Sequence, residues 1–149
     1  MNPFVVIAST WFGTGFSPVA SGTVGTVGAI PLYLVLNRLP LFSYLAVTAL
    51  FTLAACWISG AAERMFQEQD SGKIVIDEVA GFLVTMTGIT ATWQTVLAGF
   101  LLFRFFDIVK PPPARYFDRR MKNGYGVVLD DVAAGVYACL TLHLVARFL

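Results

Sequence analysis

Residues 41–62 form an unbroken run of 22 residues without one charged side chain. As a helix such a run rises about 33 Å, enough to cross the hydrocarbon core of a bilayer. In that setting backbone polar groups must be satisfied within the segment, so the run commits the chain to a helical fold. Composition agrees with a membrane setting: 57% of residues are hydrophobic and only 13% charged, against about a quarter charged in soluble domains. The 149 residues suit a single domain, 1–149. A net charge of +1 gives no electrostatic case for a nucleic-acid partner. The start, Met-Asn-Pro-Phe, has neither a basic region nor a small-residue cleavage site, so no removable signal peptide is expected. Cys56 and Cys139 lie inside apolar runs and read as inert packing residues.

The pattern predicts an all-α polytopic membrane bundle of about four to five membrane-embedded helices, with an interfacial N-terminal helix in residues 1–12. A glycine-rich stretch, residues 13–26, leads into a helix at about 24–36. Residues 41–62 are the clearest span, and 63–73 are polar. Further spans are expected at about 74–89 and 95–109, then a basic loop, 110–126, and a last helix, 127–148. Arg64, Lys73, Lys110, Arg115, Arg119, Arg120 and Lys122 fall on one side of this topology, and only Arg38 and Arg147 on the other. The positive-inside rule puts both polar loops in the cytoplasm, with Trp11 and Trp57 near the inner interface and Trp93 near the outer one.

Two stretches read almost alike: Ile76-Asp77-Glu78-Val79-Ala80 and Leu129-Asp130-Asp131-Val132-Ala133. Each sets two adjacent carboxylates at the expected start of an apolar helix, on the cytoplasmic side. Asp107 falls at the same level, in Arg104-Phe105-Phe106-Asp107-Ile108-Val109-Lys110, where Arg104, Asp107 and Lys110 share one side of a helix. Pro111-Pro112-Pro113 then ends that helix.

Each feature has a plain structural reading. An acidic pair at a helix start is an ordinary cap that also favours the helix dipole. Arg104 and Asp107 suit an ion pair inside a bundle, and Arg115 with Asp118 a surface pair. The glycines suit either a phosphate-cradling loop or close helix packing, and Gly-Lys-Ser/Thr is absent. His143 lies far from the carboxylates and is given no role. Capping needs one acid per helix, however, and five carboxylates from three helices meet at one depth. Such a set is held most cheaply by a divalent cation; hard oxygen donors and the lack of a His/Cys cluster favour Mg2+ over Zn2+. With Lys and Arg alongside, the pattern suits phosphoryl transfer or hydrolysis on a lipid headgroup.

The motifs Gly13-Thr14-Gly15-Phe16-Ser17-Pro18, Gly22-Thr23-Val24-Gly25, Asp77-Glu78-Val79-Ala80-Gly81, Phe103-Arg104-Phe105-Phe106-Asp107-Ile108-Val109-Lys110-Pro111 and Asp130-Asp131-Val132-Ala133-Ala134-Gly135 together resemble the phosphatidylglycerophosphatase A family, in order and spacing over nearly the whole chain. The resemblance implies a multi-pass enzyme of the bacterial inner membrane whose site faces the cytoplasm. It also implies Mg2+-dependent removal of the terminal phosphate of phosphatidylglycerophosphate to leave phosphatidylglycerol. Asp77, Glu78, Asp107, Asp130 and Asp131 are the expected metal ligands and catalytic carboxylates, with Arg104 and Lys110 stabilising phosphoryl charge. Ser17, Gly22, Thr23, Lys110 and Arg115 are the expected phosphate contacts. Activated water is the expected nucleophile, and a carboxylate forming an acyl phosphate is the variant. Two positions depart from the family pattern: Ser21 replaces a usual Pro, and Asn123 a usual Gly whose left-handed turn Asn should tolerate. The rival class is a non-enzymatic divalent-cation binding or transport protein, which would need polar groups across the whole bilayer. Oligomeric state and metal count stay open.

Overall fold

The computed structural model describes residues 2–69, 71–112, 115–116 and 123–149. Six helices make up the described architecture: α1 (Pro3–Ser9), α2 (Ser21–Leu36), α3 (Leu41–Phe66), α4 (Ile76–Thr85), α5 (Trp93–Val109) and α6 (Gly124–Val145). Short 3-10 turns occur at Thr14–Phe16 and Ala146–Phe148, and there is no strand among the described residues. The all-helical expectation holds.

Of the four to five membrane-embedded helices expected, two are long enough by themselves to cross a bilayer. Among the described residues, these are α3 and the helix beginning at Gly124. Helices α2 and α5 have 16 and 17 residues. The expected span at 74–89 contains a helix of just 10 residues, about 15 Å long and half of what a bilayer core requires. Helix α1 is capped by the Asn2 side chain and carries Pro3 at its start, where no donor is lost. It buries Val5 and Ser9 and leaves Phe4 and Ile7 exposed, as an interfacial helix would.

Helix α4 is central despite its brevity, because all but two of its residues are buried against α2, α3, α5 and α6. Its early stop leaves carbonyls in its last turn and in the chain just beyond it that need donors inside the protein. Neighbouring helices provide them. Tyr44 donates to the Leu83 carbonyl at 2.5 Å, and Tyr33 to Ile89 at 2.9 Å. Thr95 donates to Thr90 at 2.7 Å. His143 Nε2 lies 3.0 Å from the Thr87 carbonyl, within hydrogen-bond reach of it. His143 therefore has a structural role in closing the broken end of α4.

Helices α4 and α6 touch backbone to backbone. A Cβ on Gly81 would lie 2.4 Å from the Phe103 ring and 2.8 Å from the Asp131 carbonyl. One on Gly135 would lie 2.5 Å from the Gly81 carbonyl. Only glycine at both positions permits this approach. Gly81 follows Asp77, and Gly135 follows Asp131, by one helical turn. The crossing thus holds the two acidic pairs face to face.

Candidate active site

The starts of α2, α4 and α6 and the end of α5 meet at one end of the bundle. Helix α6 begins at Gly124, three residues before its expected start, with the Asn123 side chain accepting from Gly126 N–H at 3.1 Å. Asn123 is extended (φ −150°) and acts as the cap, not as the left-handed turn expected of it. Asp130 and Asp131 consequently lie in the second turn of α6, where no orphan N–H group needs an acid. At α4 the cap position belongs to Val75, and no side chain bonds there. The capping reading of the twin motifs therefore fails at α6, and it is unused at the cap of α4.

Their carboxylates instead face one another. Asp77, Asp130 and Asp131 bring ligand oxygens within 4.8 Å of each other, and so do Glu78, Asp107 and Asp131. Asp131 belongs to both groups. Asp77 and Asp130 are each 6% exposed and Asp131 only 2%. Asp77 Oδ1, Glu78 Oε2, Asp130 Oδ1 and Asp131 Oδ2 are buried with no hydrogen-bond donor among the described residues. Buried, unpaired carboxylate oxygens at this density are costly unless a cation or protons neutralise them.

Two bases complete the cluster. Arg104 is ion-paired with Asp107, one turn along α5, and its guanidinium also borders Gly22. Lys110 Nζ bonds Asp130 Oδ2 at 2.7 Å, leaving Oδ1 of the same carboxylate for another partner. Lys110 is the C-cap of α5, with φ +52°. That left-handed conformation costs a non-glycine residue about 1–2 kcal/mol, and it turns the chain out of α5 just before Pro111. Beyond it, the Tyr137 hydroxyl donates to the Pro112 carbonyl while its ring stacks on Phe106 at 5.6 Å. Tyr137, overlooked in the sequence, tethers the segment that carries Lys110.

The expected phosphate contacts divide. Helix α2 starts at Ser21, so Gly22 and Thr23 lie in its first turn and not in a loop. A Cβ on Gly22 would sit 2.7 Å from Glu78 Oε1 and 3.2 Å from an Arg104 guanidinium nitrogen. The first N–H groups of α2 have no intrahelical acceptor and no side-chain cap, so they open an anion seat beside the cluster. Ser21 ties this turn to the chain before α4, donating to the Gly72 carbonyl at 2.7 Å, a bond the usual Pro could not make. Ser17 is engaged locally, donating to the Val19 carbonyl at 2.9 Å. Arg115 is exposed beyond α5, its backbone N–H bonded to the Pro111 carbonyl at 3.4 Å. Its expected partner Asp118, with Arg119, Arg120 and Lys122, lies outside the described residues.

The family model described as phosphatidylglycerophosphatase A matches residues 7–146. A Haemophilus influenzae protein named phosphatidylglycerophosphatase A is 38% identical over 147 residues, covering 97% of this chain and 90% of its own. The Escherichia coli K12 protein of the same name is 36% identical, with 98% and 85% covered. A Bacteroides thetaiotaomicron protein, provisionally named a phosphatidylinositol-3-phosphatase, is 38% identical, with 96% and 93% covered. No solved structure matches the chain.

Proposed function

The chain belongs to the phosphatidylglycerophosphatase A family of phosphatases, and from that premise we propose that it hydrolyses the terminal phosphomonoester of phosphatidylglycerophosphate with the help of Mg2+, leaving phosphatidylglycerol and phosphate. The observation that carries this reading is the convergence of five carboxylates from three helices, four of their buried oxygens unpaired, beside Arg104 and the open start of α2. All-oxygen donors at this spacing fit Mg2+. Asp77, Glu78, Asp107, Asp130 and Asp131 would hold it. What Mg2+ supplies when bound is Lewis-acid polarisation of the phosphoryl group and a lowered pKa for the attacking water.

The chain's own residues do the rest. Arg104, fixed by Asp107 and directed past Gly22, meets the phosphoryl oxygens as charge grows on them. The first-turn N–H groups of α2 orient the phosphate, with Thr23 in the same turn. Lys110 holds Asp130 by one oxygen and keeps the other turned to the cluster. The relatives' names share a phosphomonoester on a lipid headgroup and differ in the alcohol that carries it. Recognition therefore centres on the phosphate.

Helices α2 to α6 are read as embedded in the bacterial inner membrane, α3 and α6 crossing it fully and the site opening to the cytoplasm. The excess of Lys and Arg in the loops on the site's side supports that orientation. The cation-conduit alternative would need polar groups through the bilayer. Beyond the carboxylates the bundle interior carries the apolar cluster of Phe82, Leu83, Met86 and Leu142 around Tyr33, and no charged residue is among its buried members. The test is phosphate release from phosphatidylglycerophosphate in detergent micelles, with Mg2+ and then with excess EDTA. Metal-dependent release, and its loss in a folded Asp107→Asn variant, are expected. Release indifferent to EDTA, or near-wild-type turnover in Asp107→Asn, overturns the proposal.

A further inference from the structure

Resting on the Mg2+-dependent reading of the same carboxylates, we infer that the site holds two divalent cations in unequal subsites bridged by Asp131. The inner subsite is Asp77, Asp130 and Asp131, all buried; the outer is Glu78, Asp107 and Asp131, half-open towards the start of α2.

Three observations carry this. The first is the distribution of unpaired oxygens. A single cation in the inner subsite leaves Glu78 Oε2 buried without a partner, and one in the outer subsite strands Asp77 Oδ1 and Asp130 Oδ1. Two cations satisfy all of them. The second is charge. Five carboxylates against Arg104 and Lys110 leave three negative charges on the cluster. One divalent cation still leaves the site negative, which repels a phosphomonoester dianion. Two make it net positive by one, which attracts that dianion. The third is how the bases are placed. Each subsite has one ligand already held by a base, Asp107 by Arg104 and Asp130 by Lys110, so each acid is oriented before a cation arrives.

The subsites differ in surroundings. The inner one is enclosed by α4 and α6 at the Gly81–Gly135 crossing. The outer one adjoins Gly22 and Arg104, where a phosphate oxygen can complete the coordination of its cation. The inner subsite is therefore the tighter in the absence of substrate, and inorganic phosphate strengthens binding at the outer one.

The experiment titrates the full chain in detergent micelles with Mn2+ at pH 7.5, reading bound equivalents and the electron paramagnetic resonance spectrum. Two equivalents per chain are expected, the second giving a spin-coupled spectrum because one carboxylate bridges the ions. Asp107→Asn should retain one equivalent, with the higher affinity of the wild-type pair and an uncoupled six-line spectrum. Glu78→Gln serves as the second variant, and thermal unfolding checks that each is folded. One equivalent or none in the wild type, or two coupled ions in both folded variants, overturns the inference. Phosphate release is measured on the same samples. One equivalent with metal-dependent release removes the bridged pair and leaves the phosphatase reading standing. Two coupled ions without release do the reverse.

Discussion

Gly22 and Gly25 lie one turn apart on α2, and replacing each with alanine should separate activity from stability. At Gly22 the new Cβ would sit 2.7 Å from Glu78 Oε1 and 3.2 and 3.4 Å from the Arg104 guanidinium nitrogens. Ordinary contact requires a retreat of about 0.7 Å by the carboxylate. Both obstacles are ends of flexible side chains, so the fold can absorb the shift cheaply. Alanine also gains up to about 1 kcal/mol of helix propensity over glycine, leaving the net stability change within about 1 kcal/mol. The site cannot absorb the shift so easily. A misplacement approaching 1 Å costs about 100-fold in rate, so kcat/KM should fall at least about tenfold. At Gly25 the new Cβ would meet the fully buried, β-branched Val75, at 2.7 Å from its Cβ and 2.9 Å from Cγ2. A stiff side chain in a closed core cannot yield, and overpacking of this kind costs about 1–3 kcal/mol. Gly25→Ala should therefore lower the melting temperature yet keep its turnover per folded molecule. The assay is phosphate release across a range of lipid substrate concentrations in mixed micelles with Mg2+, paired with thermal unfolding followed by tryptophan fluorescence. Wild-type kcat/KM in Gly22→Ala would refute the placing of Glu78 and Arg104 at the start of α2. So would a loss explained by unfolding as large as that of Gly25→Ala.

Lys110→Met and Lys110→Gly both release Asp130 from its base and should both lose at least tenfold in kcat/KM. The glycine variant should be the more stable by about 1 kcal/mol, because it alone removes the left-handed strain at φ +52°; equal stability would place the residue in another conformation. Tyr44→Phe should lower unfolding free energy by about 1 kcal/mol, since the Leu83 carbonyl then keeps only the weaker Thr87 hydroxyl at 3.2 Å. Its phosphate release per folded molecule should match wild type.

The long apolar run told where α3 begins, and the twin acidic motifs told which residues would meet. Other features were not legible because tertiary contacts overrode local signals. Gly22, Gly25 and Gly28 lower helix propensity enough that residues 21–23 read as loop. They are helical because Val75, Trp11 and the site's own side chains pack where Cβ atoms would otherwise stand. The run at 74–89 carries no proline, and its second glycine comes only at Gly88, so nothing local announces that α4 stops at Thr85. The stop is possible because hydroxyls and an imidazole from four other helices reach the carbonyls of its last turn and of the chain just beyond it. In the sequence Asp130 and Asp131 look like a helix start because Gly124 and Gly126 look like a turn; with Asn123 capping, the helix takes in both glycines. A usable signal was nevertheless present. Each acidic motif carries a glycine one turn further on, and a paired acid-then-glycine spacing on two helices marks a crossing tight enough to bring the acids together.

That crossing also explains how the fold tolerates a cluster of repelling carboxylates. Helix α4 is held at its far end by the hydrogen bond from Tyr44, with Tyr33 and His143 holding the chain just beyond it, and in its middle by the contact of Gly81 with Gly135 and Phe103. Repulsion acts at its near end, on Asp77 and Glu78, and works to lever that end away from α6. The anchored length is short, two to three turns, so rotation about the glycine contact would have to break the tyrosine bonds at the other end. In membrane surroundings those bonds have no water to replace them. The polar closure of α4 inside the bundle and the carboxylate cluster at its entrance are thus two ends of one device. Apolar packing and buried hydrogen bonds hold the acids in a geometry they would not choose, so the divalent cation proposed for this site would gain affinity from the repulsion it relieves.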